Sequence, residues 1–288
     1  MNIKYTAIAA VVLALGAGAA QAKIAQPSTG NGELFFSLYD NRGTDSFDDD
    51  KTLVVDLGGM TGSGGTAAGR VNNWLSDNTT AADPVFSPNK NTNGFSITVL
   101  DPKVVAFLGA GSFSNMVWSV VAGDSAGRDR VLTTVNTGTG ATQQSLSAFR
   151  NVSTVIAQFS TNTNQGPEGD NTPGVAGEAI NASSLFVGGD AASFKNFGPK
   201  FNSFIDFNNT AAVGEYMSFA AYWENSSTGA GNAKSFVYGS PDFRYAGWKL
   251  NTDGKLVYSV PEPETYAMMG VGLLAIGAIA RRRRATRA

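Results

Sequence analysis

The chain has no cysteine and no histidine, and only 15% of its 288 residues are charged. Without cysteine there is no disulfide framework, thiolate nucleophile, zinc ribbon or iron–sulfur cluster. Without histidine there is no Ser-His-Asp triad, and the commonest metal ligand is missing. Any chemistry falls to carboxylates, hydroxyls, Lys, Tyr or the backbone. The charged fraction is well below the roughly 25% of ordinary soluble domains, and 34 glycines exceed the usual share of about 7%, so the chain reads as loop-rich and strand-rich, of the exported kind. Its length suits one large domain or two small ones.

The two ends carry the plainest signals. Residues Met1 to Ala22 have the make-up of a secretory signal peptide: Lys4 is the positive start and Thr6 to Ala20 the apolar run. Ala20-Gln21-Ala22 places small residues at the cleavage point, so Ala20 and Ala22 mark the cut and Lys23 the mature start. General secretion machinery and signal peptidase are the partners this implies. At the other end, Val260-Pro261-Glu262-Pro263 leads through Tyr266 into Ala267–Ala280, fourteen residues without charge, and then into Arg281-Arg282-Arg283-Arg284. The two prolines stop a helix from running backward through them. A transmembrane helix over 267–280 would cover about 21 Å against a hydrocarbon layer of ~30 Å, with Tyr266 and a snorkelling Arg281 making up part of the difference. The arginines hold their end in the cytoplasm and leave the body outside.

Pro261-Glu262-Pro263, a short apolar helix and a terminal Arg cluster, in that order, resemble the PEP-CTERM sorting signal of Gram-negative bacteria. The resemblance covers only Val260 to Arg284. It implies an exosortase partner, a membrane-embedded transpeptidase-like enzyme that cuts near the Pro-Glu-Pro and passes the body to the cell surface or the exopolysaccharide matrix. It implies an address and leaves the activity of the body open.

Between the ends, Lys23 to Val260 holds 15 Lys and Arg against 21 Asp and Glu, a net charge of −6. An acidic body lacks the basic face that nucleic acid demands, so no nucleic-acid partner is expected. Period-two alternation predicts strands at 33–39, 52–57, 95–100, 116–121, 131–135, 213–224, 235–238, 243–250 and 255–260. In the longest, Val213, Met217, Phe219, Ala221 and Trp223 share one side, while Gly214, Tyr216, Ser218, Tyr222 and Glu224 share the other. Asp253-Gly254 between two apolar runs predicts a hairpin. Helices are expected at 102–108, 142–159 and 191–197. The expected fold is all-β, a two-layer sandwich of jelly-roll kind with one or two short flanking helices, over residues 23–259.

Three constellations in the body could carry chemistry. Asp40, Asp45, Asp48, Asp49 and Asp50 crowd a Gly-containing loop after a strand, which reads either as a weak Ca2+ site or as a solvated acidic hairpin tip; the spacing does not match an Asp-x-Asp-x-Asp-Gly loop. The mixed-charge loop Gly123 to Arg130 reads as a turn with surface ion pairs. Glycoside hydrolysis needs two carboxylates about 5–10 Å apart and no histidine, but Glu215 and Glu224 on one strand would stand roughly 30 Å apart. Of the aromatics, Trp118 and Trp223 fall on apolar faces, and Tyr216 and Tyr222 are the candidates for an exposed platform that stacks on sugars. The functional expectation is an exported surface or exopolysaccharide-matrix protein with a structural or carbohydrate-binding role, without enzymatic activity and without a cofactor. The alternatives are a carbohydrate-active enzyme using carboxylates and a calcium-stabilised adhesin.

Overall fold

The computed structural model describes residues 32–44, 49–57, 74, 90, 96–125, 129–135, 149–150, 154–157, 159–160, 183–187, 209–224, 231–240, 244–260, 272 and 274–276, without the side chains of 183–187, 240, 244 and 245. The expected signal peptide, the expected helix at 191–197 and most of the C-terminal tail lie outside them. In chain order the strands are β1 (Phe35–Asp40), β2 (Lys51–Asp56), β3 (Ser96–Leu100), β4 (Met116–Asp124), β5 (Arg130–Val135), β6 (Ser183–Val187), β7 (Ala211–Ala212), β8 (Tyr216–Trp223), β9 (Lys234–Val237), β10 (Gly239–Ser240), β11 (Arg244–Tyr245), β12 (Gly247–Leu250) and β13 (Lys255–Ser259). One helix, α1 (Pro102–Gly109), follows β3. Asp101 caps it by accepting from the Lys103 amide at 2.7 Å, and Pro102 fills the first turn, where no amide donor is needed.

Pairing is antiparallel throughout, in the order β3-β13-β12-β8-β5-β4-β1-β2-β6, with β7 beside β4 and β9 beside β8. The expectation of a mostly β protein with few helices holds. The arrangement differs from two facing jelly-roll layers: the described strands, apart from the small β10–β11 pair, make one continuous sheet that curls into a half-barrel. Twist of a wide antiparallel sheet is what lets its apolar face close on itself instead of needing a second layer.

Register explains what lies inside. Phe36 and Leu38 stand opposite Val55 and Leu53 on one side and opposite Val120 and Trp118 on the other. Ala122 meets Leu132, Leu132 meets Ala221, and Trp248 stands between Met217 and Tyr258. All of these belong to one buried cluster, completed by Val104 and Leu108 of α1 and by Trp74. The Trp74 ring meets Phe219, Tyr238 and Tyr258 edge-on at centroid distances of 5.0, 5.3 and 5.0 Å, the geometry aromatic quadrupoles favour. Tyr238 donates to the Trp74 carbonyl at 3.1 Å and Tyr258 to the Lys90 carbonyl at 2.8 Å, so both of these phenols have an acceptor.

The outer face is also covered over much of its area. Phe35, Val54, Val121, Val131, Val135, Ala220 and Tyr222 form a second cluster with Phe149, Val155, Ile156 and Phe159. Residues 149–150, 154–157 and 159–160 are helical, which agrees with the apolar spacing read from the sequence, and Phe159 stacks on Phe35 at 5.3 Å.

Burial pushes the phenols of Tyr222, Tyr238 and Tyr258 up from their ordinary value of 10.0; the Tyr39 phenol is raised by burial and then by its acceptor Asp50. An unfolded chain would ionise them near that ordinary value while the folded protein holds them neutral. Their contribution is therefore complete below about pH 10 and is lost as pH climbs beyond it. Alkaline titration should show tyrosinate absorbance rising together with loss of sheet signal; smooth ionisation of these tyrosines with the sheet intact would contradict the burial.

Candidate functional site

The body closes on β13, which takes hydrogen bonds on both edges, from β12 and from β3. The Asp-Gly hairpin lies where the spacing placed it: the Asn251 amide donates to the Lys255 carbonyl at 2.8 Å and the Gly254 amide to the Asn251 carbonyl at 3.0 Å. Gly254 has φ +86°, a conformation that glycine adopts without penalty. Ser259, the last residue of β13, stands opposite Gly247 and Ser96. Val260 follows at 3% exposure and belongs to the main core. The folded body thus runs to the residue before Pro261.

Beyond it, Gly272, Leu274, Ala275 and Ile276 are helical. Leu274 and Ile276 are 76% and 65% exposed, and a Cβ added at Gly272 would meet nothing within 4 Å. These side chains forgo the roughly 1.5–3 kcal/mol that burial of each would contribute, which is the cost a membrane interior removes. Among the described residues no helix is long and apolar enough to cross a membrane. The expected span 267–280, Pro261, Glu262, Pro263 and Arg281 to Arg284 lie outside those residues apart from the four just named. Six residues separate Val260 from Ala267, so over seven chain steps the body can stand no more than about 25 Å from the start of the apolar run.

The acidic loop lies partly among the described residues. Asp40 and Asp50 are both buried at 2% exposure, Asp49 is exposed, and Asp45 and Asp48 lie outside the described residues. Asp40 accepts from the Arg42 amide at 2.9 Å and sits 3.5 Å from its Nε. Asp49 accepts from the Thr44 hydroxyl at 2.9 Å, and Asp50 accepts from the Tyr39 hydroxyl. Arg42 also donates to the Ala110 carbonyl at 3.2 Å, tying this loop to the end of α1. The visible carboxylates thus brace the loop, and among the described residues no three acidic groups converge as a metal site would require.

Two placements correct the sequence reading. Tyr222 is fully buried beneath the helical cover, so it offers no ring face to a sugar; alternation showed that it lies opposite Trp223 but not that this side is covered as well. Tyr216, near the free end of β8, keeps partial exposure. The loop from Gly123 to Arg130 does not present surface ion pairs at its ends. Asp124 and Arg130 face each other across the β4–β5 hairpin at 0% and 4% side-chain exposure and are ion-paired inside the sheet. Glu224 is likewise buried and pairs with Arg150 of the helical cover, while Glu215 accepts from the Ala212 amide at 3.1 Å in the turn before β8. Trp74, Trp118 and Trp248 are fully buried and Trp223 nearly so.

A curled β body that ends on a core residue and continues at once into Pro-Glu-Pro, an apolar run and an arginine cluster has the layout of an exported protein bearing a C-terminal sorting signal. The chain matches the family model of the PEP-CTERM protein-sorting motif over residues 259–284. It therefore carries that motif, the mark of an exported protein sorted by an exosortase, a membrane enzyme. The match begins one residue earlier than the sequence reading placed it, at Ser259, inside β13. No curated protein and no solved structure matches the chain.

Proposed function

We propose that the protein is a structural or carbohydrate-binding component of the cell surface or exopolysaccharide matrix, delivered there after transient anchoring by its C-terminal helix. The sorting motif at 259–284 carries this reading. Two features of the body support a non-enzymatic role in preference to hydrolysis by paired carboxylates. Glu224 and Asp124 are buried against Arg150 and Arg130, and Glu215 is engaged by a backbone amide, so each serves the fold. The ligand surface, if the role is carbohydrate binding, includes the partly exposed Tyr216 and excludes Tyr222.

Replacing Arg281 to Arg284 with alanine tests the assignment in a host that carries the sorting enzyme. The wild type should be recovered from the exopolysaccharide fraction. The variant should still cross the inner membrane but remain in the membrane fraction, with matrix recovery falling about tenfold or more, since the positive cluster is what fixes the orientation of so short an apolar run. Equal matrix recovery of both proteins would refute sorting through this signal. A wild type that is displayed but washes free of polysaccharide would limit the role to the surface.

A further inference from the structure

We propose that the folded body sets the upstream limit of the sorting cut, so that Ser259 and Val260 stay with the mature protein and only the Val260–Pro261 bond and those beyond it can be broken. This rests on the reading of the tail as a processed signal, and adds where processing stops. An enzyme that breaks a peptide bond must hold the chain on both sides of it with the amides unpaired. Its nucleophile takes the carbonyl carbon, the C–N bond breaks, the departing nitrogen takes a proton, and the acyl group passes to water or to an amine acceptor.

No bond of β13 meets that need. The strand is interior to the sheet: Lys255 to Ser259 stand opposite Leu100 to Ser96 on one edge, and Leu256 to Ser259 opposite Leu250 to Gly247 on the other. Leu256 and Tyr258 are buried at 1% and 0% exposure, and Val260 at 3%. The Tyr258 hydroxyl is further tied to the Lys90 carbonyl. Freeing an interior strand breaks two ladders and empties three core positions, whereas a strand on the sheet's edge would break one. The first two residues of the sorting motif therefore serve the body, and the segment offered to the enzyme starts at Pro261. A body that has not closed β13 lacks this limit, so a single defined product reports completed folding.

The test is mass spectrometry of the C-terminal peptide of the full chain expressed with its sorting enzyme, alongside Val260→Asp. The wild type should end at Val260 or later, and Val260→Asp should show about tenfold more ends within 255–259, the change expected when a buried anchor is lost from an opening equilibrium. Wild-type ends inside 255–259 would overturn the proposal, whatever the variant does. Recovery of the wild type with its tail intact in every fraction would instead overturn the sorting reading. Brief digestion of that tail-bearing protein with a broad-specificity protease then decides the limit: ends at or beyond Val260 uphold it, and ends inside β13 refute it.

Discussion

Gly247→Ala is expected to cost more than the ~1–3 kcal/mol of ordinary overpacking, read as a lower urea midpoint. β8 changes neighbours along one edge: Tyr216 to Ser218 pair with β12, and Ala220 to Trp223 pair with β9. At the changeover the Phe219 amide donates to the Ala246 carbonyl at 2.9 Å, its carbonyl accepts from the Tyr238 amide at 3.0 Å, and the Ala246 amide donates to the Tyr238 carbonyl at 2.7 Å. Three chain segments meet there, and Gly247 lies hard against β8. A Cβ at this position would fall 1.8 Å from the Met217 carbonyl oxygen and 2.7 Å from its carbon. Both are backbone atoms, so no side-chain rotation relieves the clash and the two strands must part. Gly109→Ala is the control: a Cβ there meets nothing within 4 Å, and alanine suits the end of α1, so its midpoint should hold or rise. Equal midpoints for Gly247→Ala and wild type would show that β12 does not pack as described.

Asp124→Ala should cost about 3–5 kcal/mol, because it leaves the Arg130 guanidinium buried without its anion. The Nε and Nη1 of Arg130 have no hydrogen-bond partner among the described residues, so Asp124 is the main compensation for that charge. The double replacement Asp124→Leu with Arg130→Met should recover most of the loss, since an apolar pair of similar volume removes the desolvation cost of both ions. Urea midpoints of the wild type, Asp124→Leu, Arg130→Met and the double variant close the cycle; a double variant as unstable as Asp124→Leu would mean that the pair does more than neutralise itself. The Arg150–Glu224 pair is a weaker case, with Arg150 43% exposed, so water takes over part of the compensation when Glu224 is removed.

These two sites mark where reading along the chain succeeds and where it stops. The strands at 52–57, 95–100, 131–135 and 255–260 agree within a residue or so with β2, β3, β5 and β13, because alternation and turn residues are local properties. The helix after Asp101-Pro102 was legible for the same reason, as capping needs only neighbours in sequence. The run at 213–224 is legible as a strand, yet the pattern offers Tyr222, on its even-numbered side, as part of an exposed platform. Alternation reports that two faces differ and is silent on what covers each. Ala220 and Tyr222 are covered by Phe149, Val155, Ile156 and Phe159, more than sixty residues upstream. The loop from Gly123 to Arg130 shows the same limit: its charges are plain in sequence, and their burial depends on strands distant in the chain, such as β8, whose Trp223 stands opposite Arg130.

The sorting tail was determined by sequence alone, since its chemistry lies in an ordered series of proline, apolar stretch and arginine that needs no partner in the fold. The β character of the body was determined likewise, through its two-residue period. The tertiary structure decided that the strands form one curled sheet, that Asp124 and Arg130 face each other out of water, and that Val260 ends the core instead of beginning the tail. Each of those turns on contacts between residues distant along the chain, such as Val260 and Trp74 within one core. Their free energy depends on which surfaces close together, and residue spacing does not record that.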